Sequence, residues 1–495
     1  MSLAETGRPV DDLLEQLTRL RNGDLPVRGG KVTAYVYDTG RADVHDAAAR
    51  AYLEMLEVNC LDPTAFPSIV ALERDLVAAV AGRLGGDAAT PGVFTSGGTE
   101  SIMLAVKAAR DARPVEGRPE IVVPSTAHPA FAKAAHYLGM DVRHVPVDPA
   151  TFRADPAAMA AAFTPRTVLV VASAPSYPHG VLDPVAEIAA LAAGAGLLCH
   201  VDACVGGWVL PWLREAGRDV PPFDLAVPGV SSLSCDLHKY GYAPKGASVV
   251  LFTDEALRRR AYFASAAWPG YTVINATVQS SRSAGPLGAA WTTLHAVGAA
   301  GYRDLAVAAM DAADRLRAGV ADIPGLYVLG EPDAPLVAVA SGDPALNVFT
   351  IADAAREQGW FFQPQLSYQG IPANLHFTLT GVSKSGVAAM LDALATAAAH
   401  ARRTGPPPAP DDLVATLLAL DLDTLTDRDF AALLDSVGPG DGGGMATVNA
   451  VLDALPPATR EALLIRFLAA LYSGAVSGDA GDGAGGTGRR ADGPE

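Results

Sequence analysis

Between about residues 69 and 403, short apolar runs alternate with longer amphipathic stretches. The short runs are rich in β-branched residues and end at turn residues, which predicts strands; they are GVFTSGG, EIVVPS, DVRHVPV, TVLVVASAP and LLCHVDA. The longer stretches, such as SIVALERDLVAAVAGRLGG and PVAEIAALAAGAG, have the periodicity of helices. Strands that lack polar alternation are typical of a sheet covered on both faces. The pattern predicts an α/β fold with a largely parallel sheet.

The pattern changes after the apolar run GASVVLF. Two long helical patterns lie in residues 254–320, and the short runs LYVLG, PLVAVAS and LHFTLT then alternate with helices. This predicts a second, smaller α+β domain. We therefore divide the chain into four parts: an N-terminal arm at 1–68, a large domain at 69–300, a small domain at 301–403, and a C-terminal extension at 404–495.

The C-terminal extension begins with the proline-rich linker TGPPPAPDD. Two amphipathic stretches, DDLVATLLAL and ATREALLIRFLAALY, predict short helices beyond it. The last stretch, GDAGDGAGGTGRRADGPE, is rich in glycine and polar residues, which predicts disorder.

Composition narrows the possible partners and the compartment. The formal charge of −17 disfavours nucleic acid and anionic membranes as partners. No apolar run is long enough to predict a membrane span, and the N-terminus lacks the pattern of a secretory signal. Four cysteines without metal-ligand spacing indicate free thiols in a reducing compartment. We expect a cytoplasmic protein.

A candidate anion site lies in FTSGGTES, residues 94–101. A strand ends there, two glycines follow, and a helix is predicted to begin near Thr99. Glycines allow a ligand to approach the backbone, and a helix N-terminus offers free N–H groups to a phosphate. Taken alone the motif is weak, because most glycine pairs only form turns.

Two further residues give this motif a chemical meaning. Asp202 ends the apolar strand of LCHVDACVGG, and Lys239 follows His238 in SSLSCDLHKYGYAPKG. A carboxylate at the end of a buried strand needs a partner, such as a protonated heterocycle nitrogen. A partly desolvated lysine can attack a carbonyl. Phosphate cradle, aspartate and lysine together are what pyridoxal 5'-phosphate requires.

The motifs TSGGTESIMLAVKAAR, VDACVGGWVLPW and FDLAVPGVSSLSCDLHKYGYAPKGASVVLF resemble the sphingosine-1-phosphate lyase branch of the group II pyridoxal-phosphate decarboxylase family. The segments KVTAYVY, TAHPAFAKAAHYLG, ASAPSYPHGVLDP and SSRSAG extend the resemblance over residues 30–400. It implies the aspartate-aminotransferase-like fold, called fold type I of the pyridoxal-phosphate-dependent transferases. It also implies a homodimer with active sites at the interface.

The resemblance also implies a role for each matching residue. Lys239 would bind the aldehyde of the cofactor, and Asp202 would pair with its ring nitrogen. The cofactor's ring and phosphate would be held by His128, stacked on the ring, and by Gly98, Thr99, His238 and the partner's Ser281. Tyr37 and Lys245 would face the substrate and assist proton transfer.

One position departs from the family pattern. The family's histidine in this motif, which helps to bind the substrate phosphate, is Asp62 in NCLDPTAFP. An aspartate next to a phosphate is repelled, so we expect Asp62 to contact a substrate that lacks the phosphate. The alternative is that Asp62 only caps the turn that precedes Pro63. The family's glycine in GSRSG is also replaced, by Ser280.

Three functions remain open at this point. The first is cleavage of the Cα–Cβ bond of a β-hydroxy amine to release an aldehyde, with Tyr37 or Lys245 as the base. The second is decarboxylation of an amino acid with the same cofactor. The third is a non-catalytic protein on this fold, which the complete set of cofactor residues disfavours. The substrate is a small amine or amino acid in the first two.

Overall fold

The computed structural model describes residues 3, 5–407, 411–420, 430 and 444–473. Contacts divide the chain into two compact units, one of Val27–Pro406 and one of Met1–Pro26 with Pro407–Glu495. The boundary at 406–407 lies inside the proline-rich linker predicted to begin at 404. The disordered tail predicted at 478–495 lies outside the described residues.

The larger unit contains three sheets. Seven strands form the main sheet, in the order β1-β7-β6-β5-β4-β2-β3: β1 (Gly92–Thr95), β2 (Glu120–Pro124), β3 (Asp141–Val145), β4 (Thr167–Ser173), β5 (Leu198–Asp202), β6 (Ser232–Asp236) and β7 (Ser248–Phe252). The other two sheets hold six shorter strands: β8 (Phe263–Ser265), β9 (Val273–Asn275), β10 (Leu326–Val328), β11 (Leu336–Ser341), β12 (Gln363–Gln365) and β13 (Asn374–Thr378).

The main sheet is mostly parallel, as predicted. The strands β2–β6 pair in parallel, and only β7 runs antiparallel to its neighbours β6 and β1. Alternate residues of β4 point to opposite faces: Val170 and Ala172 join one apolar cluster, and Leu169 and Val171 join another. The sheet is therefore buried on both faces, which explains why its strands lack polar alternation.

Helices cover the sheets or connect their strands. In the larger unit they are α2 (Ala42–Glu54), α3 (Pro67–Arg83), α4 (Gly98–Ala112), α5 (Ala130–Tyr137), α6 (Pro156–Ala161), α7 (Val185–Gly194), α8 (Leu210–Glu215), α9 (Glu255–Ala261), α10 (Gly285–Val320), α11 (Val348–Glu357) and α12 (Ser383–Thr404). Helix α10 is kinked at Gly298, where φ is 65° and ψ is 172°. Glycine tolerates this left-handed backbone, so the kink accounts for two helical patterns in one element.

The part of the larger unit beyond α10 is α+β, as predicted, whereas the boundary predicted at 301 falls inside α10 (Gly285–Val320). Strands β10, β11, β13 and β12 form an antiparallel sheet in that order. Along the chain, α11 lies between β11 and β12, and α12 follows β13. Its strands are short and lie between helices of the same region, as the alternating pattern indicated.

The smaller unit is helical where it is described. Its helices are α1 (Val10–Leu20), α13 (Asp411–Ala419), α14 (Ala446–Ala454) and α15 (Pro457–Ser473). The helices predicted from DDLVATLLAL and ATREALLIRFLAALY are therefore confirmed. Six buried side chains form a small core in this unit: Leu417, Phe430, Val451, Leu455, Leu463 and Ala470. Among the described helices of the whole chain, none is long and apolar enough to cross a membrane.

Candidate active site

The parallel strands β4, β5 and β6 end at the same edge of the main sheet, next to the N-terminus of α4. A cavity of about 340 Å³ opens there. Such strand ends are where open α/β sheets bind ligands. The polar side chains and glycines of its wall include Ser96, Gly97, Gly98, Thr99, His128, Ser173, Tyr177, Asp202, Asp236, His238 and Lys239. The structure thus brings together the predicted cofactor residues Gly98, Thr99, His128, Asp202, His238 and Lys239.

Lys239 forms an ion pair at the floor of this cavity. Its Nζ lies 3.0 Å from Oδ2 of Asp236, and 20% of its side chain is exposed. Burial acts to lower the pKa of Lys239, but the surrounding acidic groups, Asp236 foremost, together outweigh burial and raise it. Burial also acts to raise the pKa of Asp236, and Lys239, with smaller contributions from His238 and Ser248, outweighs it and lowers that pKa. Both members of the pair are charged at neutral pH.

Asp202 is held by a buried polar network at the end of β5. Its Oδ1 accepts hydrogen bonds from the backbone N–H of Cys204 (3.1 Å) and from the hydroxyl of Ser234 (3.4 Å). Ser234 also bonds Nε2 of His200 (3.2 Å), and Nδ1 of His200 bonds the hydroxyl of Ser232 (2.8 Å). Burial lowers the pKa of His200 to about 4, so its imidazole is neutral at pH 7. The network fixes the carboxylate in place without adding a charge.

The predicted phosphate cradle lies at the start of α4. The helix begins at Gly98 and has no side-chain cap, so its first N–H groups are available to an anion. A Cβ added at Gly98 would lie 2.7 Å from Sγ of Cys204 and 2.8 Å from Oδ2 of Asp236. Only glycine fits this position, because any side chain would collide with the cavity floor. Glu100 links the cradle to the segment after β9, accepting hydrogen bonds from the N–H groups of Ser96 and Val278 (both 2.7 Å).

The two histidines predicted to contact the cofactor are both oriented by the backbone. Nδ1 of His128 accepts a hydrogen bond from the N–H of Ala130 (3.2 Å). Nδ1 of His238 donates to the carbonyl of Ala247 (2.8 Å), and its Nε2 lies 3.7 Å from Oδ2 of Asp236. Burial lowers the pKa of both imidazoles, so they act as neutral rings at neutral pH.

Tyr37 and Lys245, the predicted substrate residues, line a neighbouring cavity of about 530 Å³ that shares His238 with the first. Nζ of Lys245 lies 5.2 Å from the centre of the Tyr37 ring. That ring packs edge-on against Tyr240 at 5.1 Å, and the Tyr240 hydroxyl donates to the carbonyl of Leu379 (2.8 Å). The Tyr37 ring is therefore held at the rim of the cofactor cavity by a buried tyrosine, and Lys245 lies over that ring.

The pKa values of Tyr37 and Lys245 are shifted in opposite directions. Burial raises the pKa of Tyr37, so its hydroxyl keeps its proton at neutral pH. Partial burial and the nearby charge of Lys239 lower the pKa of Lys245. Lys245 is therefore the better proton acceptor of the two, and Tyr37 the better proton donor.

Two predicted site residues lie away from both cavities of their own chain. Ser281 is exposed, beyond β9, and is not among the residues that line either cavity. Asp62 is also exposed, and its Oδ1 accepts hydrogen bonds from the hydroxyl and N–H of Thr64 (2.6 and 2.8 Å) and the N–H of Ala65 (3.2 Å). These bonds lower the pKa of Asp62. Its geometry is that of a turn cap, and its role toward substrate stays a prediction.

The cavity fits pyridoxal 5'-phosphate on three observations. The uncapped start of α4 suits the phosphate, and the fixed carboxylate of Asp202 suits the ring nitrogen. Lys239 reaches the cavity between them. In addition, the hydroxyl of Ser173 is buried in the cavity wall and has no partner among the described residues, so it is available to a polar group of a bound ligand.

Sequence reasoning missed Asp236, Ser173 and Ser234. Asp236 and Ser234 lie on β6, which was not predicted as a strand because SSLSCD is short and polar. One feature of the sequence could have indicated Asp236: it is an acidic residue three positions before Lys239. In the structure it ends the strand that pairs with the apolar run SVVLF.

Comparison with known proteins defines the class. The Pyridoxal-dependent decarboxylase conserved domain matches residues 39–340. The domain described as "Pyridoxal-dependent enzyme, C-terminal putative HTH domain" matches residues 411–470. The chain is thus a pyridoxal-phosphate-dependent enzyme, a lyase, with the fold predicted for it.

Individual relatives show which enzymes of that class the chain is similar to. The chain is 39% identical over 372 residues to the sphingosine-1-phosphate lyase of Dictyostelium discoideum, covering 75% of this chain and 69% of the relative. It is 34% identical over 320 residues to a protein of Methanothermobacter thermautotrophicus named "Probable L-tyrosine/L-aspartate decarboxylase", covering 64% of this chain and 85% of the relative. The solved sphingosine-1-phosphate lyase of Burkholderia pseudomallei superposes with a TM-score of 0.74 at 35% identity, covering 86% of this chain and 97% of the other. The chain belongs to the pyridoxal-dependent decarboxylase family, and its lyase relatives share the branch indicated by its motifs.

Proposed function

We propose that this enzyme cleaves the Cα–Cβ bond of a β-hydroxy amine and releases an aldehyde. The observation that carries the proposal is the pair of Tyr37 and Lys245 at the rim of the cofactor cavity, with Nζ of Lys245 5.2 Å from the Tyr37 ring. The similarity to sphingosine-1-phosphate lyases supports it. The substrate class is a small or long-chain amine with a hydroxyl group on Cβ.

Bound pyridoxal 5'-phosphate supplies the electron sink that allows a bond at the substrate's Cα to break. Asp202 would hold a proton at the ring nitrogen, and the start of α4 would hold the phosphate. Lys245, with its lowered pKa, would take the proton from the β-hydroxyl, which drives the Cα–Cβ bond to break. Tyr37, which keeps its proton, would be placed to donate one to Cα.

Product analysis tests the proposal. The protein loaded with cofactor would be incubated with a long-chain β-hydroxy amine, its phosphate ester, and a set of amino acids. The expected products are an aldehyde and a shortened amine from a β-hydroxy amine, without carbon dioxide. Lys239→Ala serves as the control for cofactor-dependent chemistry. Carbon dioxide release from an amino acid, with no aldehyde from any β-hydroxy amine, would contradict it.

Decarboxylation of an amino acid is the second candidate. It is favoured by the description of the matching family domain and by the 34% identical relative named a decarboxylase. Both candidates use the cavity around Lys239, and they differ at the rim, where Tyr37 and Lys245 lie.

We also propose that the enzyme is a cytoplasmic homodimer in which Ser281 serves the partner's cofactor. The support is the exposed position of Ser281 outside its own cavity, together with the exposed side chains of Trp268, Tyr271 and Ile274 on the preceding β8–β9 hairpin. Mixing Lys239→Ala with Ser281→Ala subunits is expected to restore activity, because one site of each mixed dimer would be complete. A fully active monomer in sedimentation would contradict the proposal.

A further inference from the structure

Asp236 is a buried carboxylate with a direct contact to the cofactor lysine. It ends β6, and its Oδ2 lies 3.0 Å from Nζ of Lys239 and 3.7 Å from Nε2 of His238. Only 2% of its side chain is exposed. Charges that are this close and shielded from water interact strongly, so Asp236 dominates the electrostatic environment of the Lys239 nitrogen.

The position of this carboxylate is fixed by the packing above it. Gly98, the first residue of α4, approaches so closely that a Cβ there would lie 2.8 Å from Oδ2 and 2.9 Å from Oδ1 of Asp236. The positive end of the helix dipole also favours a negative charge at this point. Gly98 therefore packs directly against the carboxylate that contacts Lys239, and the Asp236 side chain is almost fully enclosed.

Other titratable groups face the pair from several segments. They are His128 after β2, Tyr177 after β4, Asp202 and Cys204 at the end of β5, Tyr37 from the N-terminal segment, and His238 and Lys245 from the segment of Lys239 itself. Burial raises the pKa of Cys204 and Tyr37, so both are uncharged at neutral pH. Asp202 and Asp236 are then the two negative charges, and Asp236 has the ion-pair contact.

We propose that Asp236 is a positioning residue that keeps the nitrogen of Lys239 protonated, both as the free ammonium and in its carbon–nitrogen double bond with the cofactor. The ammonium of Lys239 first loses one proton to solvent, which makes the amine able to attack the aldehyde carbon. The carbon–nitrogen bond forms, and the aldehyde oxygen leaves as water with the two remaining amine protons. The nitrogen then takes up a proton from solvent, and the negative charge of Asp236 holds that proton there.

This arrangement has a consequence for exchange with substrate. A carbon–nitrogen double bond that carries a proton has the more electrophilic carbon, so an incoming amine attacks it more readily. The inference rests on the family's cofactor and not on the proposed Cα–Cβ cleavage, and its test uses the cofactor without any substrate. A wrong assignment of Asp236 would therefore be distinguished from a wrong assignment of the reaction.

The test is a pH titration of the visible absorbance of the cofactor-loaded protein. In Asp236→Asn, the pH at which the protonated, yellow form is lost is expected to fall by about one to three units, because an opposite charge at contact distance is removed. The matched control is Asp224→Asn, which removes another buried carboxylate paired with a cation, 2.9 Å from Nη1 of Arg214 and outside the cavity. The control is expected to titrate like the wild type.

A second variant and the pH dependence of cofactor loading complete the test. Asp236→Ser, with a smaller side chain, is expected to show the same shift if the amide of Asn is poorly accommodated. In the wild type alone, the rate of cofactor loading is expected to rise with pH well into the alkaline range, because Lys239 must first lose its proton. An unshifted titration in the Asp236 variants, an equal shift in Asp224→Asn, or a loading rate independent of pH would overturn the proposal.

Discussion

The floor and the rim of the active site are built in different ways. The floor consists of Asp202, Asp236 and Lys239, which lie at the ends of buried strands or just beyond them and have fixed hydrogen-bond or ion-pair partners. The rim consists of Tyr37 and Lys245, on irregular segments, with Asp62 and Ser281 farther away and exposed. The floor is determined by the main sheet, whereas the rim depends on loops.

This difference explains why the cofactor is easier to infer than the substrate. A cofactor that binds at strand ends needs residues that the sheet itself positions, and a single chain supplies them. A substrate approaches from the side of the loops, where residues from distant segments meet. We therefore expect substitutions in the floor to abolish chemistry for every substrate, and those in the rim to change which substrate reacts.

Asp202→Asn is expected to have the largest effect among substitutions that leave Lys239 in place. The amide cannot hold a proton at the ring nitrogen as a carboxylate does, and we expect a fall in kcat of about 10³-fold. Cofactor binding should persist, because the lysine and the start of α4 are unchanged. The measurement is steady-state turnover with the most active substrate found. A kcat close to wild type would show that the floor is not organised around Asp202.

Lys245→Gln is expected to reduce kcat by about 10²-fold, in the range typical of losing a general base. Since the amine form of Lys245 is the active one, wild-type turnover should rise with pH through the lowered pKa of this residue. The variant should lose that rise while its cofactor absorbance stays unchanged. A variant that keeps the wild-type pH profile would move the base to another residue of the rim.

Ser234→Ala tests the network behind Asp202. It removes the hydroxyl that connects Asp202 to His200, and a single hydrogen bond of this kind is worth roughly 1 kcal/mol. We expect a loss of about fivefold in kcat with cofactor binding retained. Thr253→Val, which removes a hydroxyl bonded to the Ser231 carbonyl near the same sheet, is the control. Equal losses in the two variants would indicate a general effect on packing.

Asp62→His is expected to have the smallest effect. The carboxylate is exposed and engaged in its own turn, so its repulsion of a phosphate is screened by water. We expect the preference for a phosphorylated over an unphosphorylated β-hydroxy amine to rise by about threefold. Asp62→Asn, which keeps an acceptor for the turn, is the control. A change beyond tenfold would place residue 62 against the substrate, and no change would leave it a turn residue only.

Most of the fold and of the floor could be predicted from sequence. Strands β1, β2, β4, β5 and β7 are largely apolar and buried, and the end of β5 lies at Asp202, as predicted, because a buried sheet leaves little choice of secondary structure. Strand β6 could not be predicted, because its polar residues Ser232 and Ser234 are satisfied by His200 from the neighbouring strand. Asp236, which ends that strand, was missed for the same reason.

The rim and the extension were harder to predict for other physical reasons. The place of Asp62 is decided by local hydrogen bonds within its turn, which compete with any role toward substrate. The role proposed for Ser281 would require a second copy of the chain, about which one sequence holds no geometric information. The helices of the extension were predicted from their amphipathic pattern, and the family of their domain became clear only by comparison.

Lys239, and not the nearby Lys245, is expected to bind the cofactor. Borohydride reduction of the loaded protein followed by peptide mapping distinguishes the two lysines. The pyridoxyl group is expected on the peptide that contains Lys239, with Lys245 unmodified, and no label is expected in Lys239→Ala. A pyridoxyl group on Lys245 would contradict the assignment of floor and rim.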